Sequence, residues 1–520
     1  MRLYRLEKAI EQGIMNRSLF KKLAKLHIIT PGGIFRLVNC FAQDGISLMA
    51  LMRFSAHYYP NRCALVSDGK RFTYDELFEQ ANRLATMLYC DFGLKAGTSV
   101  GMMCRNHYMG TLLLPALSRI GVRIKLINTD IAPNKMLDFV RSNQIKLLIC
   151  DAALINTRIS DDLPCVTRAT EDLCHALSNH GSHSDVTVPH IKRGGEISVF
   201  TGGASGKHKE AARQMSIFQF MPPFFALLND LRIDEYDSVF LPLPVYHGFG
   251  LSTLIISLLM GKKICLSEHF DADEALKTIS KERIEVLPLV PAMLARLWQG
   301  SNAPALMKTV KCIISGGDRL DRKWIDVTTM HLGKVIYNLY GTTEAGFFML
   351  ASPEALSRHE EVTIGRPICG VKCKIENADG NGTGSLWVSS SWAMMSMRNK
   401  WQDTGDLVYC NPEGYYFYRG RSDNMVVCGG ENVYPENVER AINAHPEVLN
   451  SMVFPIADLQ FGTVLNAQVE LVPHSTLTTD EILSWLRPRL SRAEMPHHIS
   501  IQPINISETG KRTRNKGNRQ

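Results

Sequence analysis

The chain has 520 residues and a formal charge of +7, with 45% hydrophobic and 21% charged residues. Those fractions are ordinary for a folded globular protein, so they exclude a disordered chain and a membrane bundle, and the length allows about three or four folding units. The charge sits at the ends: residues 1–27 carry Arg2, Arg5, Lys8, Arg17, Lys21, Lys22 and Lys25 against Glu7 and Glu11, and the tail carries Lys511, Arg512, Arg514, Lys516 and Arg519. The middle is left slightly acidic, which excludes a broad nucleic-acid face.

The first 27 residues place Leu3, Ile10, Ile14 and Leu23 among basic residues, the pattern of an amphipathic helix. Two expectations attach to it: contact with an anionic membrane surface, or a solvated helix packed on its own domain. No secretory leader is expected, because the start lacks a continuous apolar stretch. The longest apolar run, Leu251 to Met260, is too short to span a bilayer.

From residue 74 helical and strand patterns alternate. Tyr74–Tyr89 reads as a helix, and Ser99–Cys104, Arg123–Ile127 and Ile145–Cys150 as buried strands. Residues 151–194 are polar and rich in His and Ser, and read as connecting structure. Alternation resumes with short apolar runs at Val239–Leu243, Lys263–Leu266, Ile284–Leu289, Lys311–Ile314 and Val335–Leu339. That is the pattern of parallel sheets covered by helices. Residues 362–420 change to short strands and turns, a small all-β unit, and an α+β unit with helices near 436–444 and 480–491 follows. The thirteen cysteines are scattered and odd in number, and Cys369 and Cys373 are the closest pair, with no zinc spacing; reduced, mostly buried cytosolic thiols are expected.

The stretch Val199-Phe200-Thr201-Gly202-Gly203-Ala204-Ser205-Gly206-Lys207-His208-Lys209 follows one apolar run. Glycines let backbone N–H groups approach an anion, and hydroxyls with a terminal cation complete a phosphate cradle. It is not the Walker pattern, which ends Gly-Lys-Ser/Thr. Further motifs follow other strands: Tyr246-His247-Gly248-Phe249-Gly250, Ser315-Gly316-Gly317-Asp318 and Tyr340-Gly341-Thr342-Thr343-Glu344. Ligands of open α/β sheets bind at the carboxyl ends of strands, where these loops are expected. Gly316 and Gly317 would admit a flat base, Tyr340 would stack on it, and Glu344 offers a hard oxygen to Mg²⁺. Asp318 has a second reading as the cap of the following helix. Asp406 suits a ribose diol, Arg421 suits ribose or phosphate oxygens, and Thr509-Gly510-Lys511 puts a lone cation near the end of the chain.

The order and residues of these motifs, from Ala64 to Lys511, resemble the adenylate-forming superfamily, and the Tyr246–Gly250 and Val426–Glu439 stretches resemble its acyl-CoA synthetase branch. The resemblance implies an α/β fold: a large N-terminal domain of helix-covered sheets (1–420, with the basic segment 1–30 and a β-barrel-like subdomain near 362–420). A hinge at 421–424 would follow, then a mobile α+β domain (425–520). It implies ATP, Mg²⁺ and coenzyme A. A carboxylic acid, read as a medium- or long-chain fatty acid, would attack the α-phosphorus of ATP, and a thiol would then displace AMP. An acyl carrier protein is the alternative acceptor, and a low-activity acyl- or nucleotide-binding homologue the alternative to an enzyme. A cytoplasmic location, peripheral to the membrane at most, is the matching expectation.

By the same resemblance, Thr201, Ser205 and Lys209, with Gly203 and Gly206, hold the β/γ-phosphates, and Glu344 the metal. Lys511 serves the α-phosphate and the attacking carboxylate. Gly316, Gly317, Asp318, Tyr340, Gly341, Thr342 and Thr343 line the nucleotide, and Asp406 and Arg421 anchor its ribose. Tyr246, His247 and Phe249 border the acyl pocket. Asp423 is the hinge, and Gly429, Gly430 and Glu431 line the coenzyme A tunnel. The phosphate stretch departs from the family's usual T-S-G-T-T-G-x-P-K at Gly202, Ala204, Ser205 and His208. Asn505-Ile506-Ser507 replaces the usual Pro-Arg-Thr of the last motif.

Overall fold

In the computed structural model, residues 17–159, 163–179, 187–202, 208–213, 217–428, 431–458, 462–506 and 512–513 are described. Two compact units emerge: residues 1–270, 282–288 and 392–398 form one, and 271–281, 289–391 and 399–520 the other. The expected hinge at 421–424 lies inside the second.

In the first unit a six-stranded sheet runs Val166–Ala169, Leu147–Cys150, Ser99–Met103, Arg123–Leu126, Ile197–Gly202 and His208–Arg213. The first five are parallel, and the last returns antiparallel, pairing Thr201 with Lys209 and Gly202 with His208. The stretch 151–194 is therefore more than a connection. It supplies helices Ala152–Arg158 and Thr170–Asn179 and the edge strand Val166–Ala169, whose alternation of exposed and half-buried residues hid it from an apolar-run reading. Met103, Phe139, Leu148 and Phe200 fill the core on one face of this sheet, Phe139 meeting Phe200 edge-on at 4.6 Å.

A second set of parallel strands in this unit orders Val286–Leu289, Ser238–Leu241, Lys263–Leu266 and Cys63–Ser67, with Lys70–Thr73 antiparallel at the edge. Helix Tyr74–Asp91 starts there through a capping box, in which Thr73 and Glu76 satisfy each other's backbone donors. Lys262 is 4% exposed and donates to the carbonyls of Ile233 and Tyr236. Burial lowers its pKa to about 8 against the pull of Asp237 and Asp234.

In the second unit, Cys312–Gly316 lies parallel to Ile336–Thr342, which turns back antiparallel into Gly346–Ala351. A four-stranded antiparallel sheet follows, Lys372–Glu376, Gly384–Ser389, Gln402–Cys410 and Tyr416–Arg421 in order. Phe348, Leu386, Val388 and Val408 pack one core there, and Val438, Ile442, Val469 and Leu486 another near the C-terminus. Among the described residues no helix is long and apolar enough to cross a membrane, and none of the thirteen cysteines is in a disulfide.

Candidate active site

Three of the expected nucleotide residues, Tyr340, Asp406 and Arg421, converge in the second unit with the expected hinge residue Asp423. Asp406, on strand Gln402–Cys410, is 7% exposed. One carboxylate oxygen accepts from the Tyr340 hydroxyl, and the other from Arg421 at 3.2 Å. Arg421 also donates to the Thr404 carbonyl at 3.2 Å and forks onto Asp423 at 2.7 and 2.9 Å. Burial pushes the Asp406 carboxyl above its ordinary range, although Tyr340 and Arg421 both favour the ionised form. The two partners thus hold a carboxylate in a place where an unpaired one would take up a proton.

Gly405 makes this convergence sterically feasible. Its φ is +74°, and a Cβ there would stand 2.6 Å from the guanidinium of Arg421. Asp403 accepts from the Gly405 N–H at 2.9 Å and Thr404 from the Asp406 N–H at 3.2 Å, so the run Asp-Thr-Gly-Asp folds on itself and turns Asp406 toward its partners.

The strand carrying Tyr340 ends in the tight turn to Gly346. A Cβ on Gly341 would sit 2.4 Å from the Gly346 carbonyl oxygen, so only glycine fits. Thr342 accepts from the Ala345 N–H at 3.1 Å, and Thr343 and Glu344 follow in the turn, half-buried. Among the described residues Glu344 has no hydrogen-bond or ion-pair partner. A lone hard carboxylate of this kind fits Mg²⁺, which takes one or two carboxylates and leaves its remaining positions to water and phosphate.

Tyr340 sets its ring edge-on to Phe348 at 5.2 Å and spends its hydroxyl on Asp406, so it holds that carboxylate in addition to presenting an aromatic ring. Gly316 ends its strand, in register with Leu339, and Gly317 follows with φ +86°. Asp318 does not cap helix Arg322–Leu332: the N-cap position is Asp321, whose side chain makes no capping bond, while Asp318 accepts from the Arg319 N–H at 2.7 Å.

In the first unit the phosphate stretch is a hairpin, with Thr201 and Lys209 opposite each other. Gly203, Ser205, Gly206, Gly429, Gly430 and Lys511 lie outside the described residues, and Glu431 is exposed at the start of strand Glu431–Val433. Of the residues expected to border an acyl pocket, Tyr246 is 2% exposed, with its hydroxyl 2.9 Å from that of Thr129. His247 occupies the N-cap of helix Gly248–Leu259, its side chain making no capping bond, and Phe249 is half-buried in the first turn.

Sequence reasoning missed the residue that holds this loop. Asn106, 3% exposed, donates to the carbonyls of Leu241 at 3.3 Å and Leu243 at 2.8 Å and accepts from the Val245 N–H at 2.9 Å. No local motif marks it, because its partners are well over a hundred residues away. A Cys104–His107–Asp151 group also converges, its ligand atoms within 4.8 Å of one another. It reads as a helix start: His107 accepts from the Gly110 N–H at 3.3 Å and bonds Asp151 at 2.7 Å, while the Cys104 thiol donates to the Ile149 carbonyl at 3.8 Å.

The model of the AMP-binding enzyme family matches residues 52–397. The chain belongs to the AMP-binding enzyme family. This AMP-binding enzyme is 25% identical over 473 residues to a 2-succinylbenzoate–CoA ligase of Bacillus licheniformis, covering 87% of this chain and 96% of the relative. A Staphylococcus aureus 2-succinylbenzoate–CoA ligase is 26% identical over 484 residues, with the same coverage. Its fold matches o-succinylbenzoate CoA synthetase from Bacillus subtilis, solved with its acyl-adenylate, at a TM-score of 0.74, 22% identity and coverage of 90% and 97% of the two chains. It also matches an anthranilate CoA ligase bound to anthranoyl-AMP, at a TM-score of 0.77, 19% identity and coverage of 90% and 95%.

Proposed function

We propose that this chain is an ATP-dependent acid–thiol ligase that activates a carboxylic acid as its acyl adenylate and transfers the acyl group to coenzyme A. The observation that carries the reading is the Tyr340–Asp406–Arg421 arrangement, a buried carboxylate held ready for a ribose diol, in a chain whose family is that of AMP-binding enzymes. A carboxylate oxygen of the acid bonds to the α-phosphorus of ATP, and the bond to pyrophosphate breaks. The thiol sulfur then bonds to the acyl carbon and AMP leaves, its proton passing to solvent or a basic group. Phosphorus substitution is accelerated mainly by positioning and charge neutralisation, which accounts for a site of hydroxyls, cations and backbone amides.

In this reading Thr201, Ser205 and Lys209 hold the β/γ-phosphates, Thr342 and Thr343 face the α-phosphate, and Lys511 neutralises charge on the α-phosphate. Mg²⁺ held by Glu344 supplies charge neutralisation on the phosphates. Asp423 is the hinge, and the Glu431 loop borders the thiol's path.

For the acid, an aromatic carboxylate of the succinylbenzoate or anthranilate type is the leading candidate, since the relatives described above act on those acids. It takes the place of the fatty acid expected from the Tyr246–Gly250 stretch, which stays as the second arm of the test because helix Ile217–Asn229 is almost wholly apolar. Pyrophosphate release with 2-succinylbenzoate, substituted benzoates and medium- and long-chain fatty acids, with and without coenzyme A, decides among these. No release with any acid overturns the enzyme reading, and release without a coenzyme A thioester points to a carrier-protein acceptor. Lys511→Ala is expected to abolish adenylate formation and spare thioester formation from supplied acyl adenylate; equal loss of both contradicts a role for Lys511 confined to the first half-reaction.

A further inference from the structure

Helix Pro31–Asp44 is turned inside out relative to an ordinary surface helix. Its inner face is satisfied: Gly33, Cys40 and Asp44 are buried, and Leu37 and Phe41 pack on the cluster of Cys40, Ala50 and Phe54. Its outer face is also apolar. Phe35 is 75% exposed, Val38 61% and Ile34 50%, with Pro31 and Ala42 exposed on the same stripe. The spacing of these five follows the helical repeat, so they form one continuous strip and not scattered surface residues. Phe20, on the preceding helix Arg17–Lys25, is another 50% exposed apolar side chain.

The segment that carries the strip and the helix before it bears charge of one sign. Residues 17–43 contain Arg17, Lys21, Lys22, Lys25 and Arg36 and no Asp or Glu. The first acidic residue after them, Asp44, is 1% exposed and bonded to Arg53 at 2.5 and 3.1 Å and to Arg119 at 3.0 Å, so it adds no negative surface. Lys22 donates to the Leu228 carbonyl and pairs with Asp234, anchoring the first helix to the body of the unit, while Lys21 stays exposed. A second copy docked through the same face would set exposed cations, Lys21 and Lys25 among them, against their own counterparts.

We infer that the outer face of helix Pro31–Asp44, flanked by the lysines of helix Arg17–Lys25, docks on an anionic phospholipid bilayer. Ile34, Phe35 and Val38 enter the headgroup–acyl boundary, and the cations meet the lipid phosphates. Either signal alone gives marginal, reversible binding, whereas an apolar insertion together with a basic patch holds a protein at the surface. The inference rests on exposure and charge in the first unit and is independent of which acid the enzyme activates.

The test is co-sedimentation of the full chain with vesicles of phosphatidylcholine carrying about 30 mol% phosphatidylserine, against phosphatidylcholine alone. Partitioning is expected onto the anionic vesicles and to weaken with added salt. The double variant Phe35→Ser/Val38→Ser should lose it by roughly tenfold or more, and Lys21→Glu should weaken it in part. Because all three side chains are exposed, thermal unfolding of the variants should match the parent, which separates lost docking from lost folding. Absence of binding to anionic vesicles, or binding that Phe35→Ser/Val38→Ser leaves intact, overturns the inference. So does a parent dimer that the double variant converts to a monomer, or binding seen only after deletion of residues 1–16, since a second copy or that segment would then be the occupant.

Discussion

Asn106 grips the backbone of Val245, its side-chain oxygen accepting the Val245 N–H at 2.9 Å while its amide donates to the carbonyls on the approach to that residue. The loop so held leads directly into Tyr246 and His247, which the sequence motif assigns to the border of an acyl pocket. Asn106→Ala leaves three buried backbone groups without a partner, and a loss of about 2–4 kcal/mol in stability is expected. Steady-state kinetics at a temperature where the variant stays folded should show a raised KM for the acid with the KM for ATP nearly unchanged. An equal rise in both would mean that Asn106 supports the fold and does not position the acyl side.

The Tyr340 hydroxyl opposes the upward push of burial on Asp406. In Tyr340→Phe that opposition is gone, so the carboxyl rises further and the acceptor needed by the ribose is lost at a higher pH. The KM for ATP should climb as the pH falls, with the climb beginning at higher pH in the variant. At neutral pH about a three- to tenfold increase is expected from the lost bond to a charged group. Coincident pH profiles for variant and parent would contradict the assignment.

Glu344 has no partner among the described residues, so Glu344→Gln changes charge without breaking a contact. Titration of pyrophosphate release with Mg²⁺ should show the midpoint displaced to roughly tenfold higher concentration, with unfolding temperature unchanged. An unaltered midpoint would remove Glu344 from the metal's ligands.

Lys262 carries a pKa lowered from 10.5 to about 8 by burial. Between those values the unfolded chain holds a proton that the folded chain has released, so stability rises with pH across that window and is lost as the pH falls through about 8. The contribution is on the order of 3 kcal/mol. Urea unfolding of the parent and Lys262→Met at a series of pH values should show the difference between them changing across this window. A difference independent of pH would show that Lys262 titrates normally.

The buried strands were legible because apolar runs mark them, and Ser99–Met103, Arg123–Leu126 and Lys263–Leu266 lie where the runs do. Their ends were not. Ser315 is wholly buried, so the strand Cys312–Gly316 runs on through a polar residue that ends the apolar pattern. Helix Thr479–Leu486 stops short of the expected 491 because Pro488 lacks the N–H that another turn needs. Asp406 and Arg421 are legible as types suited to a ribose, but Tyr340 reads from the sequence only as a ring, and its hydroxyl bond to Asp406 is not legible there. Asn106 and Thr129 carried no local signal, since each acts on a segment more than a hundred residues away.

The hairpin that pairs Thr201 with Lys209 has a consequence for how this chain tolerates change. In a β ladder the separation of opposed positions is set by backbone hydrogen bonds and is indifferent to what the connecting arc contains. Thr201 and Lys209 stand on the two arms of such a ladder, with Gly202 and His208 as its last described rung. The departures from the family's usual pattern at Gly202 and His208 therefore change side chains on that rung without separating the arm of Thr201 from the arm of Lys209. A chain built this way can vary its side chains along the rung while the span between its hydroxyl-bearing and cationic positions stays fixed.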